Sequence, residues 1–370
     1  MNDGRPQRPA RIEDVAALAG VSIATVSRAL SMPGKLKPAT LARVEAAVRQ
    51  TSYTPNLAAR SLRARRSMLV LVVVPDIANP FFSDVLRGIG EALTQGGFGL
   101  LIGDLGQDGD EARGKVRHLI GIVAAGQVDG VLLLNGAIPD DGQRRLTELG
   151  VPVVAVCEAI PGADIPQVET QNREAARAAV ALLVRLGHRR FAYLAGPAGN
   201  ILDGERRGGF LDGLALAGLS ADDAVFWPGD FTFRAGDAAA AAFLALDDKP
   251  TALFAANDEM AISFLTRVRA AGIEVPGDIS IVGFDGIDFA DYVEPRLTTF
   301  RQPRRALGRV GADLLLRAIA GDLIPEGEAH VRMPIELLER ESTGPWRSRP
   351  HRRLAVEPAW GPAAIPERNR

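Results

Sequence analysis

Cysteine is nearly absent from this chain of 370 residues. Cys157 stands alone, so no disulfide can close within the chain and no cysteine-rich zinc site can form. Such usage suits a reducing compartment, and a cytoplasmic protein is the expectation. Histidine is sparse as well: His118, His188, His330 and His351 lie at none of the short spacings a metal site uses, so neither a metal nor another cofactor is expected. The longest apolar run, Met68 to Val74, is far too short to cross a bilayer. The N-terminus is polar and rich in Arg and Pro, without the apolar segment of a signal peptide. Catalytic loops are missing too. There is no P-loop and no Gly-x-Ser-x-Gly elbow, and Gly96-Gly97-Phe98-Gly99 leads into a strand instead of opening a helix. No catalytic residue is expected. Apolar residues, at 47%, supply ample material for packed cores, and the length exceeds what one core serves, so two or three domains are expected.

What is present is a patterned head. Val15, Ala16, Leu18 and Ala19 give a first helix one apolar face, and Gly20 stops it, because glycine accepts the left-handed conformation of a sharp turn. Ser22 can cap a second helix, in which Val26, Ala29 and Leu30 turn inward at helical spacing. Ile23, Ala24, Ser27 and Arg28 then face out. A small, polar and basic face at a helix start suits the DNA major groove. Two short amphipathic helices around a glycine also occur in many all-α domains, and charge favours the DNA reading. Residues 1–66 hold twelve Lys and Arg against four Asp and Glu, a balance of +8 on a chain whose total is −2. A basic head on an acidic body is what phosphate neutralisation requires.

Residues 1–11 read as a disordered N-terminus and 12–55 as the helix-turn-helix domain, closed by a third helix from Pro38 to Thr51 with Leu41, Val44 and Val48 inward. Residues 56–66, basic and alanine-rich, read as a linker or as a helix that orders only on DNA, since an isolated short helix is marginal. From Met68, continuous apolar runs (Leu69–Val74, Gly99–Ile102, Gly130–Leu134, Val153–Val156, Phe191–Ala195, Ala252–Ala255, Ile279–Val282) alternate with amphipathic helical stretches. Such alternation predicts parallel sheets covered on both faces. Two blocks are expected in the core, 67–340: an N-subdomain of about 67–165 with 298–324, and a C-subdomain of about 166–297 with 325–340. A helix near Leu307–Ala320 should pack back on the first block. Residues 341–370, rich in Pro and Arg, read as a disordered tail.

Ligands of open parallel sheets bind outside the carboxyl ends of the strands. That rule selects Asn79 and Phe81 after the first strand, Asn257 after a later one and Asp285 after the next, with Arg206 near a helix start and Phe231 in a turn. An amide, a guanidinium fork, a carboxylate and aromatic faces suit a polyhydroxylated ring or a nucleoside. Each also has a plain structural role open to it: Asn257 as a helix cap, Asp285 as a turn residue, Phe81 and Phe82 as core. His188, in a Leu-Gly-His-Arg-Arg turn, reads as structural.

Taken in order, the head (Asp14-Val15-Ala16, Ala19-Gly20-Val21-Ser22, Thr25-Val26-Ser27-Arg28), Tyr53-Thr54-Pro55-Asn56, Asn79-Pro80-Phe81-Phe82, Gly187-His188-Arg189-Arg190, Ala256-Asn257-Asp258, Val282-Gly283-Phe284-Asp285 and Leu297-Thr298-Thr299 resemble a LacI/GalR-family transcriptional regulator from about Ile12 to Arg340. The resemblance implies a homodimer with an all-α helix-turn-helix head on an α/β core of two parallel-sheet subdomains, similar to periplasmic sugar-binding proteins. It implies that Ile23, Ala24 and Arg28 face base edges of a double-stranded, near-palindromic operator, with Ser22, Thr25 and Ser27 nearer phosphates. Asn56 would open the hinge helix, and Leu62 matches the family's minor-groove wedge. Asn79, Phe81, Arg206, Phe231, Asn257 and Asp285 match its effector positions. Cys157, followed by Glu158, stands where many sugar-responsive members carry Asp. Gly229-Asp230-Phe231-Thr232-Phe233, Ile287-Asp288 and Arg301-Gln302-Pro303-Arg304 are similar to the cytidine-repressor branch, which makes a nucleoside an expectation beside a sugar. Induction is the default, with corepression open. Two rivals dispense with DNA. A solute-binding protein would leave the basic head without a purpose. A sugar- or nucleoside-acting α/β enzyme would need a base or nucleophile, and Asp258 and Asp285 lack an evident partner in the sequence.

Overall fold

The computed structural model describes residues 10–31, 33–53, 66–106 and 110–347. They belong to two compact units divided after Ser67. Asn56 and Leu62, most of the 56–66 hinge, residues 1–9 and residues 348–370 lie outside the described residues.

The first unit holds α1 (Ile12–Ala19), α2 (Ile23–Ser31) and α3 (Pro38–Thr51). Gly20 ends α1 at φ 61°, and the Val21 N–H returns to the Ala16 carbonyl at 3.1 Å, closing the turn. The Ser22 hydroxyl accepts the Thr25 N–H at 3.2 Å, so α2 begins with its expected cap. Val15, Ala16, Ala19, Val26, Ala29, Val44 and Ala47 form the core, with Leu41 and Val48 against it. Two expected core residues are outside: Leu18 is 48% exposed and Leu30 39%. At about 100° per residue, the stripe of Val15, Ala16 and Ala19 leaves Leu18 to one side. A core this small also fails to cover Leu30 in the last turn of α2.

The second unit is built on two six-stranded sheets. In chain order its elements are β1 (Leu69–Val74), α4 (Phe81–Gln95), β2 (Gly99–Asp104), α5 (Asp110–Ala124), β3 (Gly130–Leu133), β4 (Val153–Cys157), β5 (Gln167–Thr170), α6 (Asn172–Arg185), β6 (Phe191–Leu194), α7 (Ile201–Leu216), β7 (Val225–Trp227), α8 (Phe233–Ala245), β8 (Ala252–Ala255), α9 (Asp258–Ala270), β9 (Ser280–Asp285), β10 (Thr298–Arg301), α10 (Arg304–Ala320), α11 (Glu326–Ala329), β11 (His330–Met333) and β12 (Glu336–Leu338). The first sheet runs β11-β5-β4-β3-β1-β2, all parallel. The second runs β12-β10-β9-β8-β6-β7, parallel except for β12. All seven apolar runs are strands, most of them wholly buried, as sheets covered on both faces require.

The division of the two halves differs from expectation. β5 and β11 belong to the first sheet and β10 to the second, so the chain crosses after β5, after β10 and after β11. These strands carry Gln167 and Glu169, Thr298 and Thr299, and His330 and Arg332 in place of an apolar run, which removes the pattern that marks the others. The tail also starts later than Arg340. Ser342 is fully buried; its hydroxyl accepts the Thr298 N–H at 2.8 Å and its carbonyl the Ile281 N–H at 2.9 Å. Residues through Trp346, whose N–H reaches the Leu186 carbonyl at 2.7 Å, therefore belong to the core. His188 anchors this segment: fully buried, it meets Thr251, Ser280 and the Gly344 carbonyl at 3.0, 2.9 and 3.2 Å.

α10 packs on α4, back on the first half as expected. The two helices touch backbone to backbone. A Cβ on Gly88 would strike the Arg305 carbonyl, and one on Gly308 the Val85 carbonyl, so only glycine fits at this crossing.

Candidate functional site

On α2, Ile23 and Ala24 are exposed in the first turn, with Ile23 at 41%, and Arg28 is exposed in the last turn. Ser22 and Thr25 lie beside them with hydroxyls 2.9 Å apart, and Ser27 is half-buried. Ala24 and Arg28, four residues apart, share one exposed face of α2 with Ile23 beside it, so an apolar contact, a small residue and a cation lie on one surface.

In the second unit, Arg206, Phe231, Asn257 and Asp285 come together at the ends of β6, β8 and β9. Arg206, on α7, is 2% exposed. Its Nε donates to Asn172 Oδ1 at 2.9 Å, its Nη1 to the Ala256 carbonyl at 2.5 Å, and its Nη2 lies 3.7 Å from Asp285 Oδ1. The guanidinium covers the Phe284 ring at 3.8 Å and stands 6.0 Å from Phe231. Asn257 caps α9 by accepting the Met260 N–H at 3.0 Å and donates to the Phe231 carbonyl at 2.9 Å. Its plain role as a cap is therefore real, and it also fixes the Phe231 turn.

Backbone strain collects at the same place. Cys157, Phe231 and Asp285 have φ of 77°, 66° and 117°, a region that side-chain-bearing residues rarely enter. Asp285 is held there by Gln302, which donates to its Oδ1 at 2.8 Å and whose amide accepts from the Thr170 hydroxyl at 2.9 Å. That chain of bonds runs from the second sheet to the first.

Asn79 and Phe81 stand apart from this cluster, at the end of β1. Asn79 Oδ1 accepts the Phe81 N–H at 2.8 Å, and Phe81 is 6% exposed, edge-on to Phe82 with centroids 5.2 Å apart. Phe81 is largely core, as its plain reading allowed. Cys157 is buried, and burial holds its thiol well above the usual range.

The sequence signals missed several participants. Asn172 begins α6 after a polar strand that carries no apolar run. Asp258 lies beneath Asp285, accepting from the Thr299 hydroxyl at 2.6 Å and the Ile287 N–H at 2.9 Å, and burial raises both carboxyls. Glu158 and Glu259 are buried, and burial pushes each up to about 7. The Arg206 charge pulls Glu158 back, whereas Asp285, Asp76 and Asp230 push Glu259 higher. Burial sets Asp285 at about 6 against the pull of Arg206, Gln302 and Arg304. No group of three or more potential metal-ligating side chains occurs among the described residues, and none of their helices is long and apolar enough to cross a membrane.

Comparison with known proteins gives two family matches: bacterial regulatory proteins of the lacI family over residues 11–56, and a periplasmic binding protein-like domain over residues 180–343. The chain is 37% identical over 343 residues to the HTH-type transcriptional repressor CytR of Escherichia coli (strain K12), covering 93% of this chain and 99% of that protein. Among solved structures, a transcriptional regulator CelR–cellobiose complex is 34% identical with a TM-score of 0.67, covering 90% of this chain and 100% of that one. The lac repressor dimer bound to operator and the anti-inducer ONPF is 27% identical with a TM-score of 0.77, covering 91% and 100%.

Proposed function

The chain belongs to the lacI family of bacterial regulatory proteins, and on that premise we propose a DNA-binding transcriptional repressor that holds a near-palindromic operator as a homodimer and is released by a small-molecule effector, a nucleoside or a sugar. The observation that carries this reading is the exposed face of the capped α2 that carries Ile23, Ala24 and Arg28. Residues 12–55 act as the head, with Ile23, Ala24 and Arg28 on base edges and Ser22, Thr25 and Ser27 on phosphates. Residues 56–66 act as the hinge, with Asn56 at its start and Leu62 as a wedge in the minor groove.

A two-fold dimer requires a covered interface. β2 supports this: it is an edge strand that exposes Leu100 and Ile102 at 36% and 39%, and an open apolar edge invites a partner. Effector sits among Arg206, Phe231, Asn257 and Asp285, with Asn79 closing from the first sheet and Phe81 packed in the core behind it. It releases DNA only through its differential affinity for two states, a coupling of about 1–3 kcal/mol. The protein works where its DNA is, in the cytoplasm, and turns over no substrate. Asp258, the best-placed base, is already spent on Thr299 and Ile287.

The test is binding of the full chain to a pool of random duplexes, followed by sequencing of the bound fraction. The expected result is one dyad-symmetric site and an affinity that falls steeply with salt. No selection at low salt would end the reading.

A further inference from the structure

Glu259 is a buried acid without a donor. It lies in the first turn of α9, is 8% exposed, and its Oε1 has no hydrogen bond. The charges that act on it are Asp285, Asp76 and Asp230, all acids, and no base offsets them. An orphaned buried acceptor costs free energy that an internal donor would have recovered, so its retention points to a donor from outside the chain. A carboxyl pressed by acids alone adds that the donor should be positive.

The acids come from separate segments. Asp76 follows β1 of the first sheet, Asp230 stands in the turn before α8, and Asp285 ends β9. The Asp230 turn is tied to the start of α9: Asn257 donates to the Phe231 carbonyl at 2.9 Å, and a Cβ on Gly229 would strike the Met260 sulfur. Asp230 Oδ1 takes the Thr232 N–H and hydroxyl at 3.0 and 2.6 Å, and its Oδ2 lies 3.6 Å from Arg234, whose side chain is 81% exposed and screened by water. Asp76 Oδ1 takes the Ala78 N–H at 2.8 Å. Arg206 is spent on Asn172, the Ala256 carbonyl and Asp285 and is not among the charges that reach Glu259. No three of the described acids, histidines and cysteines stand close enough to hold a metal ion. An ammonium group brings charge and three N–H donors together, and its reach suits carboxylates spread wider than a chelate.

We propose that the cleft takes a protonated amine, whose N–H groups donate to Glu259 while Asp230 and Asp76 share its charge. Asp76 belongs to the first sheet's side and Glu259 and Asp230 to the second, so the amine engages both halves. This rests on the reading of the cleft as an effector site and adds a requirement for positive charge that a plain sugar or nucleoside does not meet.

The test is calorimetric titration of the full-length protein with matched pairs: glucosamine and glucose, galactosamine and galactose, 5′-amino-5′-deoxyadenosine and adenosine, putrescine and its diol. At least one amine should bind, at least about tenfold more tightly than its hydroxyl counterpart. A preference confined to putrescine would make the ligand a free amine, and one shown by an amino sugar or amino nucleoside an amine-bearing effector; either supports the proposal. Burial keeps part of the Glu259 population protonated near pH 7, and a cation favours the ionised form, so binding at pH 7 should release a fraction of a proton, read from the buffer dependence of the heat. Glu259→Gln, checked for an unchanged melting transition without ligand, should reduce the preference by about tenfold and shrink the proton release, leaving Asp285 as the acid that still titrates. Failure of every amine to bind, equal binding within every pair, no proton release, or full preference in the folded variant would each overturn the proposal. If the variant does not fold, the wild-type pairs and the proton release decide. A hydroxyl compound that binds as well as its amine ends the amine and leaves the effector cleft standing; an amine that binds without changing operator affinity ends the effector reading and keeps the amine.

Discussion

Arg206→Ala should destabilise the second unit far more at pH 8 than at pH 5. In the native protein the guanidinium, 2% exposed, satisfies Asn172 Oδ1 and the Ala256 carbonyl and lies 3.7 Å from Asp285. Burial raises the Asp285 carboxyl to about 6, with Arg206 the main force pulling it down. Raised above its unfolded value, this acid stabilises the fold at low pH and loses that contribution as pH climbs through 6. Without Arg206 it rises further. At pH 5 Asp285 is largely protonated with or without the arginine, so the variant loses hydrogen bonds and the Phe284 stack, about 1–2 kcal/mol. At pH 8 the variant buries an uncompensated charge or carries a proton against the pH, and the loss should reach about 3–5 kcal/mol. Urea unfolding followed by the fluorescence of Trp227, a buried tryptophan in this unit, reads the difference. An equal loss at both pH values would show that Arg206 acts through packing alone and would refute the pairing.

Other consequences are as direct. Arg28→Ala should cost about 1–3 kcal/mol of operator affinity and relax preference at one base pair; an equal loss on every duplex in the anisotropy assay would mean a phosphate contact only. Leu62→Ala should abolish operator bending, read by gel mobility of permuted fragments, while leaving effector affinity unchanged; normal bending would remove the wedge. Gly88→Ala sets a methyl against the Arg305 backbone and should lower stability by about 1–3 kcal/mol in the same urea assay, where no loss would mean that α4 and α10 part freely. The Glu158 carboxyl, raised by burial to about 7, is above its unfolded value, so it should contribute about 3 kcal/mol to the stability lost as pH rises from 4 to 8. A fall between pH 4 and 8 that is about 3 kcal/mol smaller in Glu158→Gln than in the wild type would assign that share to this residue, the remainder coming from Asp258, Glu259 and Asp285; identical profiles would not.

How much of this was legible depends on which signals are local. Helix α3 begins and ends at Pro38 and Thr51 as the pattern predicts, because proline at the first turn and apolar spacing are properties of the segment itself. The seven apolar strands are legible for the same reason. The crossing strands are not: Gln167, Thr298 and His330 occupy β5, β10 and β11 where the halves join, so no apolar run marks them and the halves were divided in the wrong places. At the cleft, Arg206, Phe231, Asn257 and Asp285 were legible from strand ends. Phe81 was read as a stacking face, yet its ring is turned into the core beside Phe82. Glu158 and Glu259 carry no local signature of burial, since burial depends on every neighbour at once.

The proposed effector site connects directly to the segments that join the halves. Asp285 is held by Gln302, Gln302 by Thr170, and these three residues come from β9, the crossing after β10, and β5. Two residues further on, Arg304 joins Asp84 on α4 to Asp288 and Gly286 beyond β9. A ligand that takes an oxygen of Asp285 competes with the Gln302 amide for it, and the amide it frees belongs to the segment that joins the halves. Asp285 is in a strained backbone conformation at φ 117°, so its position is a balance between that strain and the bonds opposing it. These bonds fix the segment that joins the halves, whereas the buried valines and phenylalanines of the sheets are close-packed. An effector that engages Asp285 is therefore expected to act first on the crossings, where Gln302 and Thr170 join the two sheets.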